Sequence, residues 1–167
     1  MKKTVVLAVG GNSLVLDKEH QTVRDQYAAC VETGKHIAQM LKTDCRLAIT
    51  HGNGPQVGFI LRRCELAKSE LHMVPLDSCG ADTQGAIGYN LQMSLANELS
   101  RIGLERLVAT VVTQVLVDQS DPAFANPSKP IGSFMDEATA VDRREKEGWS
   151  IVEDAGRGFR RVVASPR

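Results

Sequence analysis

Thr4-Val5-Val6-Leu7-Ala8-Val9-Gly10-Gly11-Asn12 is the stretch on which the fold turns. Its unbroken apolar and β-branched run suits a strand buried on both faces, as in a parallel sheet. Two glycines and an asparagine then stop it. In a parallel α/β sheet the ligand crevice lies at the carboxyl ends of the strands. Glycines there let the backbone approach a ligand and turn its N–H groups toward phosphate-type oxygens. The Asn12 carboxamide can donate or accept. The same three residues equally suit a plain strand-end turn.

Moving outward, residues 22–41 place Val23, Tyr27, Cys30, Val31, Ile37, Ala38 and Leu41 at helical spacing. Residues 46–50 form a second short strand, broken by His51-Gly52-Asn53-Gly54-Pro55. A helix follows with Val57, Ile60, Leu61 and Cys64 on one face, and Pro55 suits its first turn. Residues 82–102 predict another helix, through Ile87, Leu91, Leu95 and Leu99, with Gly103 at its C-terminal cap. Residues 107–117 are the longest β-type run. Residues 118–134, rich in Pro, Asn, Ser, Asp and Gly, read as a loop. A short helix is expected at 137–147, and strands at 149–152 and 159–164 around Asp154-Ala155-Gly156-Arg157-Gly158.

Strands alternating with helices predict a three-layer α/β/α sandwich with a mainly parallel sheet. Residues 118–165 break the rhythm. The expected division is an α/β binding domain over 1–117 and a small protruding lid over 118–165.

The composition excludes several classes. With 43% hydrophobic and 24% charged residues in 167, the chain is globular, not disordered, collagenous or coiled-coil. Twenty basic residues balance twenty acidic ones, so no global field attracts nucleic acid or an anionic membrane. A local cationic excess at residues 143–167 suits either a solvated face or an anionic ligand. No apolar stretch has membrane length, and the start lacks a signal-peptide core, so a cytoplasmic protein is expected. Cys30, Cys45, Cys64 and Cys79 show no C-x-x-C spacing and do not cluster with the histidines. They read as free thiols in a reducing compartment, and no metal site is expected.

Thr50-His51-Gly52-Asn53-Gly54-Pro55-Gln56 repeats the theme of the first loop after the second strand. Two such loops at strand ends of one sheet can converge on one anion. His51 reads as a residue that orients its loop, not as a base. Neither G-x-G-x-x-G after the first strand nor a Walker P-loop is present. In Asn126-Pro127-Ser128-Lys129-Pro130-Ile131-Gly132, prolines stiffen the backbone around one lysine. Such a lysine can neutralise charge on a transferring phosphoryl group, or simply sit on the surface. Arg157, Arg160 and Arg161 around a glycine turn can clamp an anion or pair with Glu153 and Asp154. In residues 75–89, Gly85 and Gly88 suit close helix approach in a core or a dimer interface.

Together these segments resemble the carbamate kinases of the amino-acid kinase family. The resemblance rests on Ala8-Val9-Gly10-Gly11-Asn12, Thr50-His51-Gly52-Asn53-Gly54-Pro55-Gln56-Val57-Gly58, Gln84-Gly85-Ala86-Ile87-Gly88-Tyr89 and Val112-Thr113-Gln114-Val115. It continues through Asp121-Pro122-Ala123-Phe124, Pro130-Ile131-Gly132-Ser133-Phe134 and residues 153–166. It implies reversible phosphoryl transfer from ATP to carbamate (from ammonia and bicarbonate), giving ADP and carbamoyl phosphate with Mg2+, typically in arginine metabolism. By position it implies substrate binding by Gly10, Gly11, Asn12, Gly52, Asn53 and Gly54, and catalysis by Lys129. Arg160 and Arg161 match family positions as an anion clamp. Asp82-Thr83 stands where many members have Met-Ser, and no role is assigned there. The family implies a homodimer of chains roughly twice this length. The expectation is therefore a chain without the C-terminal ATP-binding domain, inactive alone. Two alternatives stand beside it: a catalytically silent anion-binding paralogue, and a related kinase with another acid substrate.

Overall fold

The computed structural model describes residues 2–17 and 19–167, and for Asn12 the backbone alone. Five strands and four α-helices are present among them: β1 (Lys3–Val9), α1 (Val23–Met40), β2 (Cys45–His51), α2 (Gly54–Leu66), α3 (Leu76–Arg101), β3 (Lys129–Met135), α4 (Glu137–Glu147), β4 (Ile151–Glu153) and β5 (Phe159–Val163). The chain divides into two compact units. One holds Met1–Pro55 and Asp77–Val112, the other Gln56–Leu76 and Thr113–Arg167. Among the described residues no helix is long and apolar enough to cross a membrane.

In the first unit β1 and β2 pair in parallel, from Lys3 opposite Cys45 to Val9 opposite His51. A parallel pair needs a crossover, and α1 supplies it. A capping box starts α1: the Asp25 N–H donates to Thr22 Oγ1 (3.2 Å), and the Thr22 N–H donates to Asp25 Oδ2 (2.9 Å). Two apolar clusters cover one face of the sheet. Ile37, Ala38, Leu41, Cys45, Leu95 and Leu99 form one, backed by Val5, Leu7, Leu47 and Ile49. Val9, Leu14, Cys30, Ile87 and Leu91 form the other. Where α1 meets α3, Gly34 admits Ser94, whose Oγ donates to the Cys30 carbonyl (3.1 Å). Arg106 donates to the carbonyls of Cys45 (2.7 Å) and Leu41 (3.3 Å) and ties down the turn between α1 and β2.

The α/β class with a parallel sheet is what the alternation predicts. Three details differ. The first strand packs on one face only: Val5, Leu7 and Val9 point to the core, while Val6 is 68% exposed. Residues 107–117 form no strand. They find no ladder partner among the described residues, and Leu107, Val111, Val115 and Leu116 stand exposed. The third helix starts at Leu76, six residues before the expected 82, and carries Gly80 and Gly85 in its interior.

The second unit is built on an antiparallel sheet in the order β3-β5-β4. Residues 129–134, expected as loop, belong to its edge strand β3. Pro130 is tolerated there because an edge strand leaves one row of backbone groups unpaired. The short helix α4 matches its expected limits and is capped by Asp136, which accepts from the Thr139 N–H (2.7 Å). Between β4 and β5 the chain turns through Ala155, Gly156 and Gly158, all at positive φ. At Gly158 a Cβ would lie 2.8 Å from the Met135 carbonyl oxygen, so only glycine fits that corner.

Candidate functional site

Because β1 and β2 are in register, their following loops leave the sheet side by side. The Gly52 N–H donates to the Val9 carbonyl (3.0 Å) and carries the pairing one step past the strand end. After β1 the chain makes one 3-10 turn over Gly11–Ser13, closed by Ser13 N–H to Gly10 O (3.0 Å). After β2, Gly52 and Asn53 lead directly into α2 at Gly54.

The loops touch through bare backbone. A Cβ on Gly52 would lie 2.9 Å from the Gly11 nitrogen. A Cβ on Gly11 would lie 3.5 Å from the Gly52 carbonyl carbon and 3.6 Å from the Asn53 nitrogen. The Pro55 ring lies nearer still, its Cδ 3.4 Å from that Gly11 position. The N–H groups of Gly11 and Asn53 find no acceptor among the described residues. Gly54 beside them opens α2, at the positive end of the helix dipole. This arrangement suits an anion bearing several oxygens, such as a phosphoryl or carboxylate group.

The structure brings Gly10, Gly11, Gly52, Asn53 and Gly54 together in the first unit. The Asn12 side chain lies outside the described residues. The His51 Nδ1 is 3.2 Å from the Gly52 carbonyl oxygen, a contact within its own loop. A residue given no role from sequence enters here. Asn53 Nδ2 donates to Thr83 Oγ1 (2.9 Å), a hydroxyl on α3 that is 2% exposed. The only sequence signal for Thr83 is a polar residue on the apolar stripe of a helix.

Lys129, Arg160 and Arg161 belong to the other unit. The Lys129 backbone is held in β3 opposite Val163, and its exposed ammonium has no carboxylate partner among the described residues. Arg160 donates to the Gly132 carbonyl (3.2 Å), lies 3.5 Å from Asp154 and stacks on Phe134 at 5.1 Å. Arg157 stacks on the same ring at 5.2 Å and pairs with Asp154 (2.8 Å). These contacts brace the β4–β5 corner and draw the Asp154 carboxyl below its usual range, chiefly through the Arg157 hydrogen bond. Arg161 stacks on Trp149 at 4.6 Å, and Arg143 lies over the same indole at 5.3 Å. Arg161 and Trp149 line a cavity of about 200 Å3 with Leu61, Met73 and Phe134.

The four cysteines are free thiols, and burial pushes the Cys30 thiol up to about 11. Among the described residues no group of three or more His, Cys, Asp or Glu comes together to hold a metal ion.

No protein-family model matches the chain. It is 48% identical over 169 residues to the carbamate kinase-like protein YahI of Escherichia coli K12, covering 99% of this chain and 53% of that protein. It is 47% identical over 167 residues to the carbamate kinase of Thermococcus kodakarensis, covering 98% of this chain and 53% of that one. Among solved structures, carbamate kinase from Giardia lamblia bound to AMP-PNP matches with a TM-score of 0.86 and 40% identity. That match covers 99% of this chain and 53% of the other. The chain thus spans about half the length of the curated relatives it matches.

Proposed function

Since this chain is homologous to the carbamate kinases along its whole length, we propose that it supplies the acid-substrate side of a carbamate kinase. The reaction is reversible transfer of a phosphoryl group between ATP and carbamate, giving ADP and carbamoyl phosphate. The observation that carries this reading is the side-by-side placement of two glycine turns with unbonded N–H groups. In the forward direction a carbamate oxygen attacks the γ-phosphorus, and charge spreads over the transferring oxygens. The N–H groups of Gly11 and Asn53, with Gly10, Asn12, Gly52 and Gly54 around them, hold those oxygens. Fixed backbone donors are suited to this because they need not reorganise as charge develops.

Lys129 is the proposed cation for the transferring group. Its pinned backbone and unneutralised ammonium support that role. Mg2+ belongs to the reaction as proposed; among the described residues no group of three or more His, Cys, Asp or Glu comes together, and the ion would be held chiefly by the nucleotide's phosphates. A homodimer in the cytoplasm, working in arginine metabolism, completes the proposal.

The test uses the product of the complete reading frame containing this sequence. ATP formation from carbamoyl phosphate and ADP, read by a coupled assay, is the expected result. Lys129→Ala should lower kcat by about a hundredfold or more, the usual loss for one transition-state donor. Unchanged turnover in that variant rejects the lysine's role. A second reading is favoured by one comparison: YahI, 48% identical, is named carbamate kinase-like. Binding of carbamoyl phosphate without any ATP formation would establish a silent anion-binding paralogue. Turnover with a different acid in a substrate panel would establish a related kinase.

A further inference from the structure

The Asn53–Thr83 hydrogen bond links the second glycine turn to the middle of α3's first half across 30 residues of sequence. Resting on the reading above, we propose that Thr83 is a positioning residue for the anion site, fixing which way the Asn53 carboxamide faces.

The argument follows the single proton of the hydroxyl. Thr83 is almost fully buried, so its oxygen must be satisfied within the protein. Two carbonyls of its own helix lie in reach, Cys79 O at 2.8 Å and Gly80 O at 2.9 Å. The hydroxyl proton therefore points back into the helix. Lone pairs are all that Thr83 offers to Asn53, and they attract a donor and repel an acceptor. A carboxamide has two nearly isosteric ends, and only the Nδ2 end satisfies this contact. Thr83 thus selects one of two orientations related by a half-turn of the amide. With one Nδ2 proton spent on Thr83, the second Nδ2 proton of Asn53 remains for an anion.

Asn53 needs such a brace. It lies between Gly52 and Gly54, neither of which carries a side chain to pack against it. An amide free to turn over would present its electronegative end to an anion for part of the time. Holding one orientation removes that loss before the ligand arrives.

The experiment compares the wild type with Thr83→Val, Thr83→Ser, Asn53→Ala and the Asn53→Ala/Thr83→Val double variant, each as the product of the complete reading frame. Carbamoyl phosphate is titrated calorimetrically. Thr83→Val keeps the side-chain shape and should weaken binding about tenfold, the scale of one hydrogen bond. Thr83→Ser restores the acceptor and should bind within about twofold of wild type. In the Asn53→Ala background, Thr83→Val should add less than about a twofold loss, because the two act as one unit. A tenfold loss that persists in that background overturns the proposal, as does wild-type affinity in Thr83→Val.

A second readout needs no ligand. The Asn53 Nδ2 proton donated to Thr83 should be displaced from the ordinary carboxamide shift and slow to exchange by NMR in the wild type and in Thr83→Ser. Both features should vanish in Thr83→Val, or in Thr83→Ala if the valine variant fails to fold. Retention of the protected proton without the hydroxyl overturns the proposal. If the wild type binds no carbamoyl phosphate, the functional reading fails, and this second readout still decides on Thr83.

Discussion

Gly52→Ala is the sharpest single perturbation of the candidate site. The added methyl carbon would stand 2.9 Å from the Gly11 nitrogen and 3.4 Å from the Gly11 Cα. Both are backbone atoms, so no side chain can swing aside. Restoring an ordinary contact requires the two turns to part by about 0.5 Å. Overpacking of this kind costs about 1–3 kcal/mol. The Gly11 N–H moves with the turn, so carbamoyl phosphate affinity should fall by about tenfold or more, since small misplacements of binding groups are costly. Urea unfolding and calorimetric titration measure the two effects. Gly58→Ala is the internal control. Gly58 lies inside α2 with nothing within 4 Å of its would-be Cβ, and alanine there should add about 0.5–1 kcal/mol of stability. The two substitutions are chemically identical and should move stability in opposite directions. Equal shifts of the same sign, or unchanged ligand affinity in Gly52→Ala, would refute the claim that the turns meet through bare backbone.

Further outcomes follow from other contacts. Gly88→Ala would place a Cβ 2.2 Å from the Thr110 Cγ2, so it should destabilise the first unit. Adding Thr110→Ala should recover part of the loss, as seen by thermal unfolding. Glu147 accepts from Lys68 (2.7 Å) and Arg143, and the Lys68 bond above all draws its carboxyl below the usual range. A depressed carboxyl contributes stability above its unfolded value, and that stability is lost as pH falls through the folded value. Unfolding measured from about pH 5 downward should show this loss, and Glu147→Gln should flatten it. Under native conditions at pH 8, Cys64 should react with a thiol reagent before the buried Cys30, Cys45 and Cys79, by peptide mapping.

The first loop, the second loop and both helices that flank them are legible because each signal is local. A β-branched run, a Gly/Asn break and an apolar stripe at helical spacing all lie within a few residues. Residues 129–134 were hidden by Pro130 and Gly132, which read as loop unless the strand is known to sit at an edge. Residues 107–117 erred the other way: their composition suits a strand, but strand preference expresses packing against neighbours. No strand forms a ladder with them among the described residues. Gly80 and Gly85 masked the start of α3, whose remaining turns carry enough buried residues to absorb two weak positions. Thr83 could not be singled out, because its partner is 30 residues away and the contact exists only once α3 lies against the second loop.

The parallel register of β1 and β2 also bears on when the site comes into being. The two strands that carry the glycine turns are separated by about 40 residues, so their pairing closes a long loop and ranks among the slow, non-local events of folding. Helix α1, begun by its own capping box, can form early and alone. The N–H groups of Gly11 and Asn53 cannot share a ligand until the pairing is complete. Anion affinity should therefore appear with the last phase of refolding, not with the burst of helix formation. In stopped-flow experiments, a bound anion should slow unfolding while leaving the first refolding phase unchanged.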